Sequence, residues 1–130
     1  MFLETEKKRI NNPSEKQIIK AIESVEDSFV ILEEENGNYI QAGGGISDEY
    51  TVEVRTYSDE VNFTHLKAYN AKSESNDERI IIIAGSSVKV LEKEILDSKT
   101  VKELFHEFYN GKYQSEIVGW SDITSMFLED

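Results

Sequence analysis

No cysteine occurs in the 130 residues, so a disulfide framework and thiolate metal sites are both closed to this chain. Such a composition is compatible with a reducing cytoplasm. There is one proline, and only two histidines, His65 and His106. A histidine-based zinc site needs three or more well-placed ligands, and neither H-x-x-x-H nor H-E-x-x-H spacing occurs. Long apolar runs are missing too. The longest, Ile80 to Ala84, is far short of the roughly 20 residues that span a bilayer. The stretch Met1 to Arg9 lacks the apolar core of a signal peptide, so a soluble cytoplasmic protein is expected. Basic residues are also scarce, 14 Lys plus Arg against 26 Asp plus Glu, a formal net charge of -12. An acidic surface repels phosphate backbones and attracts a basic protein, which argues against nucleic acid as the direct partner.

What is present reads as one domain over residues 1–130, a length that can bury a sizeable core unaided. The stretch Ser28 to Tyr57 organises it. Phe29-Val30-Ile31-Leu32 and Tyr39-Ile40-Gln41-Ala42 flank Asn36-Gly37, a dipeptide suited to a two-residue type I′ hairpin. Tyr50, Val52, Val54 and Thr56 then alternate with Thr51, Glu53, Arg55 and Tyr57, assigning the first set to the core and the second to an outer face. The three glycines Gly43 to Gly45 fit neither a dinucleotide fingerprint nor a P-loop and read as a bulge or wide turn.

Elsewhere, residues 2 to 10 suggest a short edge strand. Asn12-Pro13-Ser14-Glu15 resembles a helix start, with Asn12 as cap, ahead of Ile18, Ala21, Ile22 and Val25 at helical spacing. Asn62 to Asn70 forms a further strand with Phe63, His65, Lys67 and Tyr69 on one face. Arg79 to Ala84, with four consecutive isoleucines, is expected as a central buried strand, followed by an exposed edge strand from Val88. Asp97 or Ser98 starts a second helix carrying Val101, Leu104, Phe105, Phe108 and Tyr109, which Gly111 ends. The tail from Lys112 to Asp130 is apolar enough to fold back, with Met126-Phe127 closing the core. The expected fold is α+β, an antiparallel meander sheet of about five to seven strands with two amphipathic helices mainly on one face.

Catalytic patterns are sparse. No G-x-S-x-G occurs, and 26 acids guarantee chance carboxylate pairs, so the acids carry no signal for acid–base work. A non-enzymatic binding module without cofactor or metal is expected. The pattern Asn12-Pro13-Ser14, Phe29 to Leu32, Asn36-Gly37, Tyr39 to Gly44, Tyr50 to Arg55, helix Val101 to Tyr109 and Trp120-Ser121-Asp122-Ile123-Thr124 resembles small acidic bacterial immunity proteins encoded beside polymorphic or contact-dependent toxins. That resemblance implies stoichiometric neutralisation of a toxin domain through an acidic surface, and transfers no contact residue. From the residues themselves, the candidate contacts are Glu33, Glu35, Glu53, Arg55, Tyr57 and Asp59, at the hairpin tip and on the outer face. Trp120 joins them as a hot-spot residue type, with a tryptophan lid on the core as its other reading. The alternative function is a small-ligand or housekeeping regulatory domain, which requires a concave apolar pocket with a few polar groups. Monomer and dimer remain open at this level.

Overall fold

A computed structural model describes residues 1–128; the last two residues of the tail, Glu129 and Asp130, lie outside them. Strands β1 (Phe2–Thr5) and β2 (Arg9–Asn11), helix α1 (Glu15–Ser24), and strands β3 (Ser28–Glu33), β4 (Tyr39–Gly44), β5 (Tyr50–Tyr57) and β6 (Phe63–Tyr69) come first. A ribbon of β7 (Glu78–Ile83) and β8 (Ser86–Leu91), helix α2 (Ser98–Tyr109), and β9 (Gly119–Asp122) complete the chain. Seven strands make one antiparallel sheet in the order β2-β1-β3-β4-β5-β6-β9, and β7 pairs only with β8. This is the expected α+β meander.

Register explains which face is covered. Leu3 pairs with Leu32, Leu32 with Ile40, Ile40 with Val54, and Val54 with Leu66, so one row of apolar side chains crosses the sheet. All of these are buried, and the stripes Ile18-Ala21-Ile22 of α1 and Val101-Leu104-Phe105-Phe108 of α2 close over the same face. Burying a side chain of this size contributes about 1.5–3 kcal/mol, so this single layer carries most of the hydrophobic driving force. The helices also meet each other, with Lys102 Nζ 3.2 Å from Glu23 and His106 Nδ1 2.5 Å from Glu15 at their exposed seam.

Several local expectations are corrected. Asn12 does not cap α1; Ser14 does. Its hydroxyl accepts the Gln17 N–H at 3.2 Å, and the Gln17 side chain accepts the Ser14 N–H at 2.9 Å. That reciprocal box satisfies two otherwise orphaned donors, which moves the helix start two residues on and leaves Asn12 at φ 50 in the turn before it. The β3–β4 connection is not a two-residue turn. Glu34 N–H donates to the Asn38 carbonyl and Gly37 N–H to the Glu34 carbonyl, enclosing Glu35-Asn36-Gly37. Only Gly37 takes positive φ there, the pattern of a type I turn followed by a glycine bulge. A two-residue hairpin turn with both central residues at positive φ occurs instead at Ala84-Gly85, between β7 and β8.

The isoleucine strand is the largest correction. It is not central. The β7–β8 ribbon lies across the outer face of the main sheet, so only alternate side chains reach it. Ile81 and Val90 are buried, whereas Ile80 is 64% exposed. Strong β-propensity selects a strand but not its neighbours. What admits the ribbon is Gly43. Gly43 and Gly44 continue β4 rather than forming the expected bulge, and a Cβ on Gly43 would stand 2.9 Å from Ile83 Cδ1. Gly45 supplies the turn, with its Cα face against the Val25 carbonyl. The ribbon is further tied by Arg79 to Glu49 at 2.7 Å, and by Asp27, whose carbonyl and carboxylate accept the Ala84 and Gly85 N–H groups.

Candidate functional site

The end of the outer face that the ribbon leaves open holds most of the sequence-derived candidates. Register sets Glu33 opposite Tyr39, Tyr39 opposite Arg55, and Arg55 opposite His65, so these four lie in one row across four strands. One row further down, Gln41, Glu53 and Lys67 are opposed. Alternation within β5 together with the β5–β6 register therefore puts Glu53, Arg55 and Tyr57 on the same surface as His65.

His65 is the centre of that surface and is only 2% exposed. Arg55 Nε donates to its Nδ1 at 2.9 Å, and its Nε2 meets Glu53 Oε1 at 2.6 Å. A guanidinium N–H has no lone pair and can only donate, so Nδ1 accepts, and the ring hydrogen sits on Nε2 and is given to Glu53. Burial pushes the Glu53 carboxyl up, but the His65 hydrogen bond and the positive groups Lys67 and Arg55 outweigh it, and the net result is below the ordinary value. Lys67 in turn lies 3.5 Å from Glu94, both largely buried. The chain of opposite charges Arg55, Glu53, Lys67, Glu94 is thus internally neutral, with His65 linking its first two members.

Aromatic rings seal this network. The Arg55 guanidinium stands 3.9 Å from the Phe63 ring centre, 4.9 Å from Phe127 and 5.7 Å from Tyr39, and Phe127 lies 4.2 Å from the His65 ring. Phe127 belongs to a short 3-10 segment, Thr124–Phe127, that follows β9 and folds over the outer face. Met126-Phe127 does not close the core as expected: Phe127 caps the opposite face of the sheet, and Met126 is 75% exposed. Burial raises the Tyr39 hydroxyl. With both imidazole nitrogens engaged, His65 has no free lone pair to act as a general base.

Above this network the two hairpin tips sit side by side. Tyr57 N–H donates to the Asn38 side chain at 2.7 Å, and the Tyr57 ring packs on Gly37. Glu33, Glu34 and Glu35 from one tip and Asp59 and Glu60 from the other therefore form a single acidic rim. None of these five is ion-paired with Lys or Arg among the described residues. They differ in freedom. Asp59 turns inward to its own loop, accepting from the Val61 and Asn62 N–H groups and the Asn62 side chain, and that bonding, led by the Asn62 side chain, lowers its carboxyl. Glu34 accepts from the Tyr113 hydroxyl at 2.6 Å, which raises that hydroxyl. Glu35 is exposed.

Trp120 stands apart from the other six candidates. It lies on β9 opposite Ala68, on the helix-covered face, packs against the core, and gives its indole N–H to the Ser115 carbonyl at 2.9 Å. The lid reading of this residue fits its position. Sequence reasoning missed His65 as a hub, Lys67–Glu94 and the Phe127 seal. Alternation places His65 and Lys67 on one face, but only the β5–β6 register brings them opposite Arg55 and Glu53.

Two concavities lie elsewhere. A cavity of about 60 Å³ between the helices is lined by Ile18, Ile19, Phe105 and Tyr109. An open groove of about 470 Å³ runs past Glu23, Glu26, Asp48 and Lys102. Among the described residues no group of three or more His, Asp or Glu side chains is arranged to hold a metal ion, and no helix is long and apolar enough to cross a membrane. Comparison with known protein families and with curated proteins gives no match.

Proposed function

We propose that the chain is a stoichiometric protein-binding module that engages a basic partner through the open end of its outer sheet face. The observation that carries this reading is the convergence of Glu33, Glu34, Glu35, Asp59 and Glu60 on one rim without a compensating cation among the described residues. By contrast, Lys67, Arg79, Lys89, Lys102 and Lys112 each lie within 4.0 Å of an acid outside the rim. The rim gathers five of the 26 acids at one end of the sheet, a local excess of one sign within the net charge of -12. Below the rim, the Arg55–His65–Glu53 network gives the surface a rigid floor whose own charges are already satisfied.

An immunity-type role is the specific form of this proposal, supported by the resemblance and by the acidic rim: neutralisation of a toxin domain by covering its basic groove. The test is co-expression with the toxin domain encoded at the neighbouring locus, followed by binding at increasing salt. Rescue of growth and a one-to-one complex are expected, with association slowing steeply as salt rises. Absence of both rescue and complex formation at low salt would refute the toxin assignment.

A further inference from the structure

Beside the acidic rim lies an apolar knuckle that the charge argument does not use. Met126 is 75%, Leu128 61% and Phe127 44% exposed, although the Phe127 ring rests on His65 and Arg55. These side chains are presented by a fastened backbone. Ile123 N–H donates to the His65 carbonyl at 2.9 Å, Thr124 Oγ1 accepts the His65 N–H at 2.9 Å, and Asp122 accepts the Thr124 N–H at 2.9 Å. Three exposed apolar side chains in succession on a tied turn are a surface held ready for contact, because their exposure gains nothing for the fold.

We infer that this knuckle is the apolar anchor of the partner interface, and that the partner segment is basic and amphipathic, presenting one or two bulky apolar side chains flanked by Lys or Arg. The inference rests on the acidic-rim reading and specifies its partner. Phe127 covers Arg55, which lies two strands from Glu33 in the same row, roughly 10 Å across the sheet. An apolar centre with a charged border at that spacing has the anatomy of a binding hot spot and its rim. The same border argues against the other occupants. A second copy of this chain would bring its own acidic rim against this one, and an anionic bilayer would be repelled. A basic amphipathic segment satisfies both halves at once.

The experiment uses the full chain and two short synthetic peptides of equal positive charge, one of Lys with Gly and Ser, the other of Lys with Leu and Phe. Fluorescence anisotropy is read for the wild type, for Met126→Ser/Leu128→Ser and for Glu33→Lys/Glu35→Lys. Both pairs are surface changes, with retained fold checked by circular dichroism. The Leu/Phe peptide is expected to bind more tightly than the Gly/Ser peptide. The serine variant should lose roughly tenfold toward it alone, and the lysine variant should weaken both. Equal binding of the two peptides, unchanged by the serine pair, overturns the anchor while leaving the acidic-rim reading standing. Indifference of both peptides to the lysine pair overturns the basic partner and the rim reading together. Binding of neither peptide overturns the inference, as does a wild-type dimer in sedimentation equilibrium that the serine pair dissolves, since the occupant would then be a second copy.

Discussion

Arg55 holds His65 in one tautomer. Its Nε lies 2.9 Å from His65 Nδ1, and because that nitrogen receives a hydrogen bond, the ring hydrogen is confined to Nε2, facing Glu53 at 2.6 Å. In long-range proton–nitrogen NMR spectra of the neutral protein, Nδ1 of His65 is expected to show the unprotonated pattern and Nε2 the protonated one. Arg55→Met leaves Nδ1 buried without a donor, and removes the cation from between Phe63, Phe127 and Tyr39. A loss of about 1–3 kcal/mol in urea unfolding is expected, together with the appearance of the second tautomer. A single unchanged tautomer in the variant would show that Glu53 alone sets the ring.

Glu53 makes the fold acid-sensitive. Its carboxyl is lowered in the folded state: burial opposes ionisation, and the His65 hydrogen bond with Lys67 and Arg55 overcomes it. A group with a depressed folded value contributes stability that is present above the unfolded carboxylate range and is lost as pH falls through the folded value. The difference in unfolding free energy between wild type and Glu53→Gln should therefore be largest at neutral pH and shrink on acidification. Asp97, lowered chiefly by its hydrogen bonds with Thr100, acts with the same sign at the start of α2. Its replacement by Ala costs about 1 kcal/mol in the same assay. If the difference between wild type and the Glu53→Gln variant stayed constant down to strongly acid pH, Glu53 would have no part in the acid response.

Two glycines of the same run separate by what they touch. At Gly45 an added Cβ would stand 2.2 Å from the Val25 carbonyl oxygen, with φ at 105, so backbone must move. At Gly43 the obstacle is Ile83 Cδ1, the tip of a flexible side chain on the ribbon. Gly45→Ala is expected to destabilise by more than about 2 kcal/mol, as left-handed strain and a backbone clash add. Gly43→Ala should do less, and its effect should diminish in an Ile83→Val background, measured as a double-mutant cycle by chemical denaturation. Additive effects of Gly43→Ala and Ile83→Val would mean the ribbon is not seated on β4 as described.

How legible this was depends on the range of the interactions. Alternation in Tyr50–Tyr57 and Phe63–Tyr69 assigns faces correctly, because strand parity is a local property of the backbone. The helix stripes are legible for the same reason. The place of Ile80–Ile83 is not, since four isoleucines look alike whether a strand is central or a ribbon; the answer lay in Gly43, distant in the chain, which leaves room for Ile83. Asn36-Gly37 misled because the Glu34–Asn38 pair moves the turn by one residue, and the buried Asn38 side chain, bonded to Tyr57, holds it there. His65 became a hub only through the β5–β6 register, which loop length fixes and composition does not. The acidic rim follows likewise from two tips meeting across β4 and β5.

The ribbon turn carries removable strain. Ala84 has φ 49 and Gly85 φ 82, both left-handed, joining Ile83 directly to Ser86. A two-residue turn of this kind matches the twist of its strands, but an alanine Cβ crowds the following carbonyl in that region, whereas asparagine tolerates it. Ala84 is exposed, so a larger polar side chain meets solvent, and its N–H keeps its bond to the Asp27 carbonyl. Ala84→Asn is therefore expected to stabilise the protein by about 0.5–1 kcal/mol, with the urea midpoint rising and the denaturant slope unchanged. Because the ribbon lies over Gly43, the gain should register in global unfolding rather than only in local opening of the turn. Hydrogen exchange separates the two cases. Slower exchange at Gly43 and Thr51 in the variant would place the ribbon within the cooperative unit of the main sheet. Slowing confined to the ribbon would make it an appendage that opens on its own, with the denaturation midpoint left where it was.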